Sequence, residues 1–191
     1  SDNKDLPVTE GLEYQFTGNV FNKKLINFNG CFLHSSAVVV DGEAYLFSAP
    51  CETGKSTHAS LWLKYLEDKK PYIINDDKPA LRIIDDEIYV YGTPFSGKHN
   101  ISENTRAKLK GICFIEQSPE NFIRKIDSKE SFILFLKQTT YMLNSEEMGK
   151  LLGILDIIIS KTPIYQFGCN ISEDAVKLSY GTMKGEIKNE S

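Results

Sequence analysis

No long apolar run is present. The best candidate, residues 151–159, is interrupted by Gly153 and Asp156, so a membrane-spanning helix and membrane association are not expected. Cationic excess is missing too: the net charge is −4, with Lys and Arg scattered, which excludes the electrostatic footprint of a nucleic-acid binder. Cysteine is sparse, and Cys31, Cys51, Cys113 and Cys169 show no Cys-x-x-Cys spacing, against a zinc ribbon or a dithiol redox pair. They read as reduced thiols of a cytoplasmic protein, an expectation that matches the lack of a signal-peptide pattern. Internal repeats and low-complexity linkers are likewise absent.

What remains suits one globular unit, since 191 residues with 41% apolar content can bury one sizeable core. The expectation is a single domain over 1–191, with a peripheral hairpin in 1–30, turned at Gly18-Asn19, and a core in 31–180. A strand over 31–40 ends at the hairpin dipeptide Asp41-Gly42, and residues 44–47 return as its partner. Ala59, Trp62, Leu63 and Leu66 give 56–69 a helical apolar face, which Pro71 terminates. Strands are expected at 72–74, 80–84, 87–91, 111–116, 122–126 and 164–167, and a long loop at 92–104. Helices are expected at 131–141, 145–159 and 172–178, the second opening at Asn144-Ser145 and the last capped by Ser172. The fold class is therefore α/β, a mixed sheet with flanking helices.

The segment between the 44–47 strand and the helix reads Ala49-Pro50-Cys51-Glu52-Thr53-Gly54-Lys55-Ser56-Thr57. A strand, a loop ending in Gly-Lys-Ser and a helix together form a phosphate-binding loop: its amides and the helix N-terminus hold phosphate oxygens. Lys55 would reach the outer phosphates and Ser56 would offer its hydroxyl to Mg²⁺. Ala49 stands where such loops usually begin with Gly, and Glu52 brings a carboxylate into the loop. Cys51 is the one cysteine that loop amides could activate.

Asp76 and Asp77 follow the short buried strand, one helix after Lys55, on a path that returns to the same sheet edge. One carboxylate would hold Mg²⁺ and the other would accept the proton of an attacking hydroxyl. Asp85-Asp86 reads only as a hairpin turn. His34 and His58 read first as locally satisfied polar residues. Lys98 and His99 in the long loop are candidates for phosphate or substrate contact. Arg106 is a candidate for phosphate neutralisation, against a surface ion pair.

In this order, the strand with His34, the Asp41-Gly42 hairpin, the loop to Ser56, one helix and then Asp76-Asp77, the chain resembles the catalytic domain of the HPr kinase/phosphorylase family. More distantly it is similar to the nucleotide domain of phosphoenolpyruvate carboxykinases, whose arginine segment Asn104-Thr105-Arg106 resembles. The match covers about 31–117. The resemblance implies a P-loop domain and an ATP- and Mg²⁺-dependent kinase acting on a serine-type hydroxyl of a peptide, protein or small molecule, a peptide first among these. By position it gives Lys55 and Ser56 to phosphate and metal, Asp77 to metal, Asp76 the role of base, and sets His34 beside the transferred phosphate. Two other readings stand: a catalytically impaired nucleotide- or peptide-binding module, on account of Glu52, and a simple nucleotide hydrolase. The oligomeric state is left open.

Overall fold

The computed structural model describes residues 6–139 and 143–187. In chain order the elements are α1 (Leu6–Ile26), β1 (Gly30–Phe32), β2 (Ser35–Val40), β3 (Glu43–Ser48), α2 (Lys55–Tyr65), β4 (Tyr72–Asn75), β5 (Ala80–Ile84), β6 (Glu87–Tyr91), β7 (Arg106–Gln117), β8 (Phe122–Lys125), α3 (Ser128–Thr139), α4 (Ser145–Lys161), β9 (Ile164–Cys169) and α5 (Glu173–Lys184). All nine strands join one mixed sheet, ordered β1-β5-β6-β7-β3-β2-β4, with β9 beside the second half of β7 and β8 outside β9. Strands β3, β7 and β9 run parallel; β2 is antiparallel to both β3 and β4 and therefore sets β4 parallel to β3. The sheet curls far enough for Asn75, at the end of β4, to bridge to Ser102.

Alternation along the central strands explains the layering. Ala37 and Val39, Ala44 and Leu46, and Ile112 and Phe114 enter one core with Phe135 of α3 and Leu151, Leu155 and Ile158 of α4. Val38 and Val40, Tyr45 and Phe47, and Cys113 and Ile115 enter the other, with Trp62 of α2 and Val176 and Tyr180 of α5. Strands with both faces covered carry apolar residues at every position, which is why β2 reads as Ala-Val-Val-Val. Where Ala44 faces Leu109 and Tyr45 faces Gly111, an extra residue interrupts the β3–β7 ladder as a bulge. Helix α4 starts in a capping box, the Asn144 side chain accepting from the Glu147 amide and the Glu147 carboxylate accepting from the Asn144 amide.

Three expectations are corrected. Where a hairpin is expected in residues 1–30, the described residues form α1 from Leu6 to Ile26, docked through Tyr14, Phe21 and Leu25 against Phe32 and Phe95. The single strand over 31–40 is two, broken at Leu33-His34, where the chain hydrogen-bonds sideways to Pro79 and Gln138. The helix over 56–69 stops at Tyr65 and continues as a separate 3₁₀ turn, Glu67–Lys69. Residues 140 and 141 of the helix expected over 131–141 lie outside the described residues. The turns at Asp41-Gly42 and Asp85-Asp86 have the positive φ pairs that two-residue hairpins require.

Candidate phosphate-binding and acid-pair site

The loop leaves the C-terminal end of β3 and enters α2. Gly54, the residue before the helix, has φ 114° and no side chain caps the helix, so the amides of the first turn keep no internal partner. The first intrahelical bond runs from His58 N–H to Gly54 O. Such an uncapped N-terminus attracts anions through both its N–H groups and its dipole. Lys55 folds back into the loop, its Nζ donating to Ala49 O at 3.0 Å and Pro50 O at 3.2 Å. Burial pushes its ammonium below the usual lysine range, while Cys51, Asp77 and Asp76 draw it back up. Ala49 is buried, Pro50, Cys51, Glu52 and Thr57 are exposed, and Thr53, Gly54 and Ser56 lie between. Glu52 adopts φ 65°, a left-handed conformation that favours glycine, and its side chain stands in solvent. Gln117, at the end of β7, donates to Thr53 O and holds the loop from the other side.

Asp76 and Asp77 follow β4, two strands from β3 in the sheet, hence on the order of 10 Å across. Asn75 fixes their turn: its Oδ1 accepts from the amides of Asp77 and Lys78, and its Nδ2 donates to Thr93 O and Ser102 Oγ. Asp76 is buried and accepts from Ser36 Oγ at 2.5 Å. Asp77 meets three donors. Lys78 Nζ lies 2.7 Å and the Tyr14 hydroxyl 3.2 Å from its Oδ2, and His34 Nε2 lies 3.4 Å from its Oδ1. Burial alone would raise its pKa; the hydrogen bonds from His34 and Lys78 outweigh it and hold the carboxyl at about 2.

His34 reaches Asp77 because the break between β1 and β2 turns it there. Its amide donates to Gln138 O, its Nδ1 faces Gln138 Oε1 at 3.1 Å, and its carbonyl accepts from Ser48 Oγ, the last residue before the loop. Lys98 and His99 are exposed in a 3₁₀ turn, Gly97–His99, whose first amide donates to the Tyr14 hydroxyl. An added Cβ on Gly97 would stand 3.0 Å from the Cβ of Asp77, so this turn presses directly on the acid pair.

The structure thus brings together residues 49–57, His34, Asp76 and Asp77. It does not bring Arg106 to them. Arg106 opens β7, beyond the Glu43–Lys108 pair at the start of β3, whereas the loop leaves from Ser48 opposite Phe114. That separation is on the order of 25 Å along the strand. Its guanidinium is spent on the Tyr91 hydroxyl and the face of Tyr89. His58 also stays out of the chemistry, as its first reading held: it is buried against Phe47, Trp62 and Phe167.

Two open clefts flank the loop. One, of about 580 Å³, lies between the start of α2 and the end of β9, over Thr57, Leu61, Ile115, Pro119 and Ile171. The other, of about 540 Å³, lies beside Pro50, Phe114, Leu134 and Gln166. Both are on the β7–β9 side of the loop, opposite the acid pair.

As a metal site the expected pair, Ser56 and Asp77, does not fit: Asp77 is already surrounded by Lys78, Tyr14 and His34. Among the described residues no group of three or more His, Cys, Asp or Glu side chains converges to hold a metal ion, and no helix is long and apolar enough to cross a membrane. Sequence reading missed Ser36, Lys78 and Tyr14. Lys78 carried a signal, a cation directly after two acids; Tyr14 carried none, because its segment reads as a strand.

No family model matches the chain, and no curated protein does either. Among solved structures the fold is similar to the HPr(Ser) kinase/phosphatase from Coxiella burnetii, at 13% sequence identity over 82% of this chain and 99% of that one, with a TM-score of 0.43. The likeness is distant.

Proposed function

We propose that the chain is a nucleotide-dependent phosphotransferase that moves the terminal phosphate of ATP to a hydroxyl acceptor of the serine type. The observation that carries this reading is one sheet edge bearing two kinds of group: an uncapped helix N-terminus with Lys55, and a buried carboxylate, Asp76, two strands away. Phosphate oxygens would take the first-turn amides of α2 and exchange with the carbonyls that Lys55 now holds. The nucleoside would lie towards the cleft over Leu61 and Ile115, leaving the terminal phosphate on the side of the acids. Asp76, oriented by Ser36, would accept the acceptor's proton, and His34 would stand beside the transferred group. Glu52 is exposed at the edge of the same cleft, and this reading requires its carboxylate to turn away from the phosphates.

Calorimetry with ATP and transfer of labelled phosphate to serine-containing peptides test the proposal together. The native chain is expected to bind ATP in the micromolar range. Lys55→Ala should weaken binding by about tenfold or more, and Asp76→Asn should leave binding while removing about a hundredfold of transfer. No ATP binding by the native chain or by Glu52→Gly would refute the reading. Binding by Glu52→Gly alone would replace it with that of an impaired binding module, and ATP consumption indifferent to any peptide would make it a hydrolase.

A further inference from the structure

Asp77 is the carboxylate that the family resemblance would give to a divalent cation, yet three donors already stand around it. A carboxylate offers about four acceptor positions. Lys78 Nζ and the Tyr14 hydroxyl share Oδ2, and His34 Nε2 stands at Oδ1. Lys78 is also no ordinary surface lysine. Its amide donates to Asn75 Oδ1 at 2.8 Å and to Phe95 O at 3.1 Å, and its carbonyl accepts from Thr93 Oγ1 at 2.7 Å. Its ammonium lies 5.1 Å from the centre of the Tyr14 ring, a cation–π distance. Backbone and side chain are therefore both held, and the charge is delivered to one place: between Asp77 and α1.

We propose that Lys78 is the resident cation of this site, occupying at Asp77 the position a divalent ion would otherwise take. This rests on the phosphoryl-transfer reading for its purpose. Asp77 then carries its own fixed positive charge in Lys78, while Lys55 holds the loop. A divalent ion at Oδ2 would have to displace the ammonium from between the carboxylate and the Tyr14 ring, and one at Oδ1 would still be repelled by Lys78 beside it. Lys78 is a positioning residue in this scheme: it fixes Asp77 and excludes metal from it.

The test is Mn²⁺ binding to the whole chain without nucleotide, followed by electron paramagnetic resonance. The native protein is expected to show no site above weak surface binding. Lys78→Gln, which keeps the stem and removes the charge, should bind Mn²⁺ about tenfold or more tightly, and adding Asp77→Asn should abolish the gain. Lys78→Arg, which retains the charge, should behave as the native chain. Thermal melts check folding, and Lys78→Met, whose apolar stem can still lie on Tyr14, replaces Lys78→Gln if the latter does not fold. Native binding as tight as that of the neutral variants overturns the proposal, and so does a neutral variant that folds and gains nothing. Because no nucleotide is present, failure to bind ATP refutes the transferase reading separately and leaves the manganese result standing.

Discussion

His58 shows how one residue can look catalytic by position and be structural by chemistry. It lies one turn into the helix that follows the candidate phosphate loop, yet its Nε2 accepts from the Trp62 indole N–H and contacts Ser179 Oγ at 3.1 Å, joining α2 to α5. Desolvation holds its pKa at about 4, against an ordinary value of 6.5. Between these values the unfolded chain binds the proton that the folded one refuses. The stability that depends on neutral His58 is therefore complete above pH 6.5 and is lost as pH falls from there to about 4, a change of about 3 kcal/mol. Urea denaturation at pH 7 and pH 4.5 should reveal most of this loss in the native chain, and much less in His58→Gln. Trp62, fully buried in the same cluster, should cost about 3–5 kcal/mol when replaced by Ala.

At the scale of elements, the loop depends on backbone shape more than on side-chain identity. Gly54 has φ 114° and open space around it, so Gly54→Ala meets no clash and is penalised by conformation alone, at about 1–3 kcal/mol. Glu52→Gly acts in the opposite sense: relief of a left-handed residue outweighs the added freedom of the unfolded chain, raising stability by up to about 1 kcal/mol. Denaturation midpoints of the two variants should thus move in opposite directions. The same contrast explains what the sequence made legible. Hairpins at Asp41-Gly42 and Asp85-Asp86, the loop before α2, and the caps at Asn144 and Ser172 follow from local chemistry and stand as expected. Helix α1 was hidden because Tyr14, Phe16, Val20 and Phe21 favour strands, and packing against Phe32, Phe95 and α4 stabilises it as a helix. Arg106 was misplaced for a related reason: its position just after the long loop suggested proximity to the site, but the register of β7 carries it to the opposite end.

Over the whole molecule, β2, β3 and β7 supply alternate residues to both cores, so neither helical layer can detach without exposing strands that the other layer needs. Tryptophan fluorescence reports one face, where Trp62 lies, and far-UV circular dichroism reports both. The two signals are expected to trace one coincident urea transition, and separated midpoints would show that the layers unfold independently. The thiols divide along the same lines. Cys31 and Cys113 are buried in opposite cores, burial pushing the first to about 12 and the second well above its usual value, and Cys169 is pushed to about 11. Cys51 stands exposed on the loop before α2. An alkylating reagent therefore meets one ready target in the folded protein, and if a nucleotide binds as proposed, it would slow that single labelling reaction.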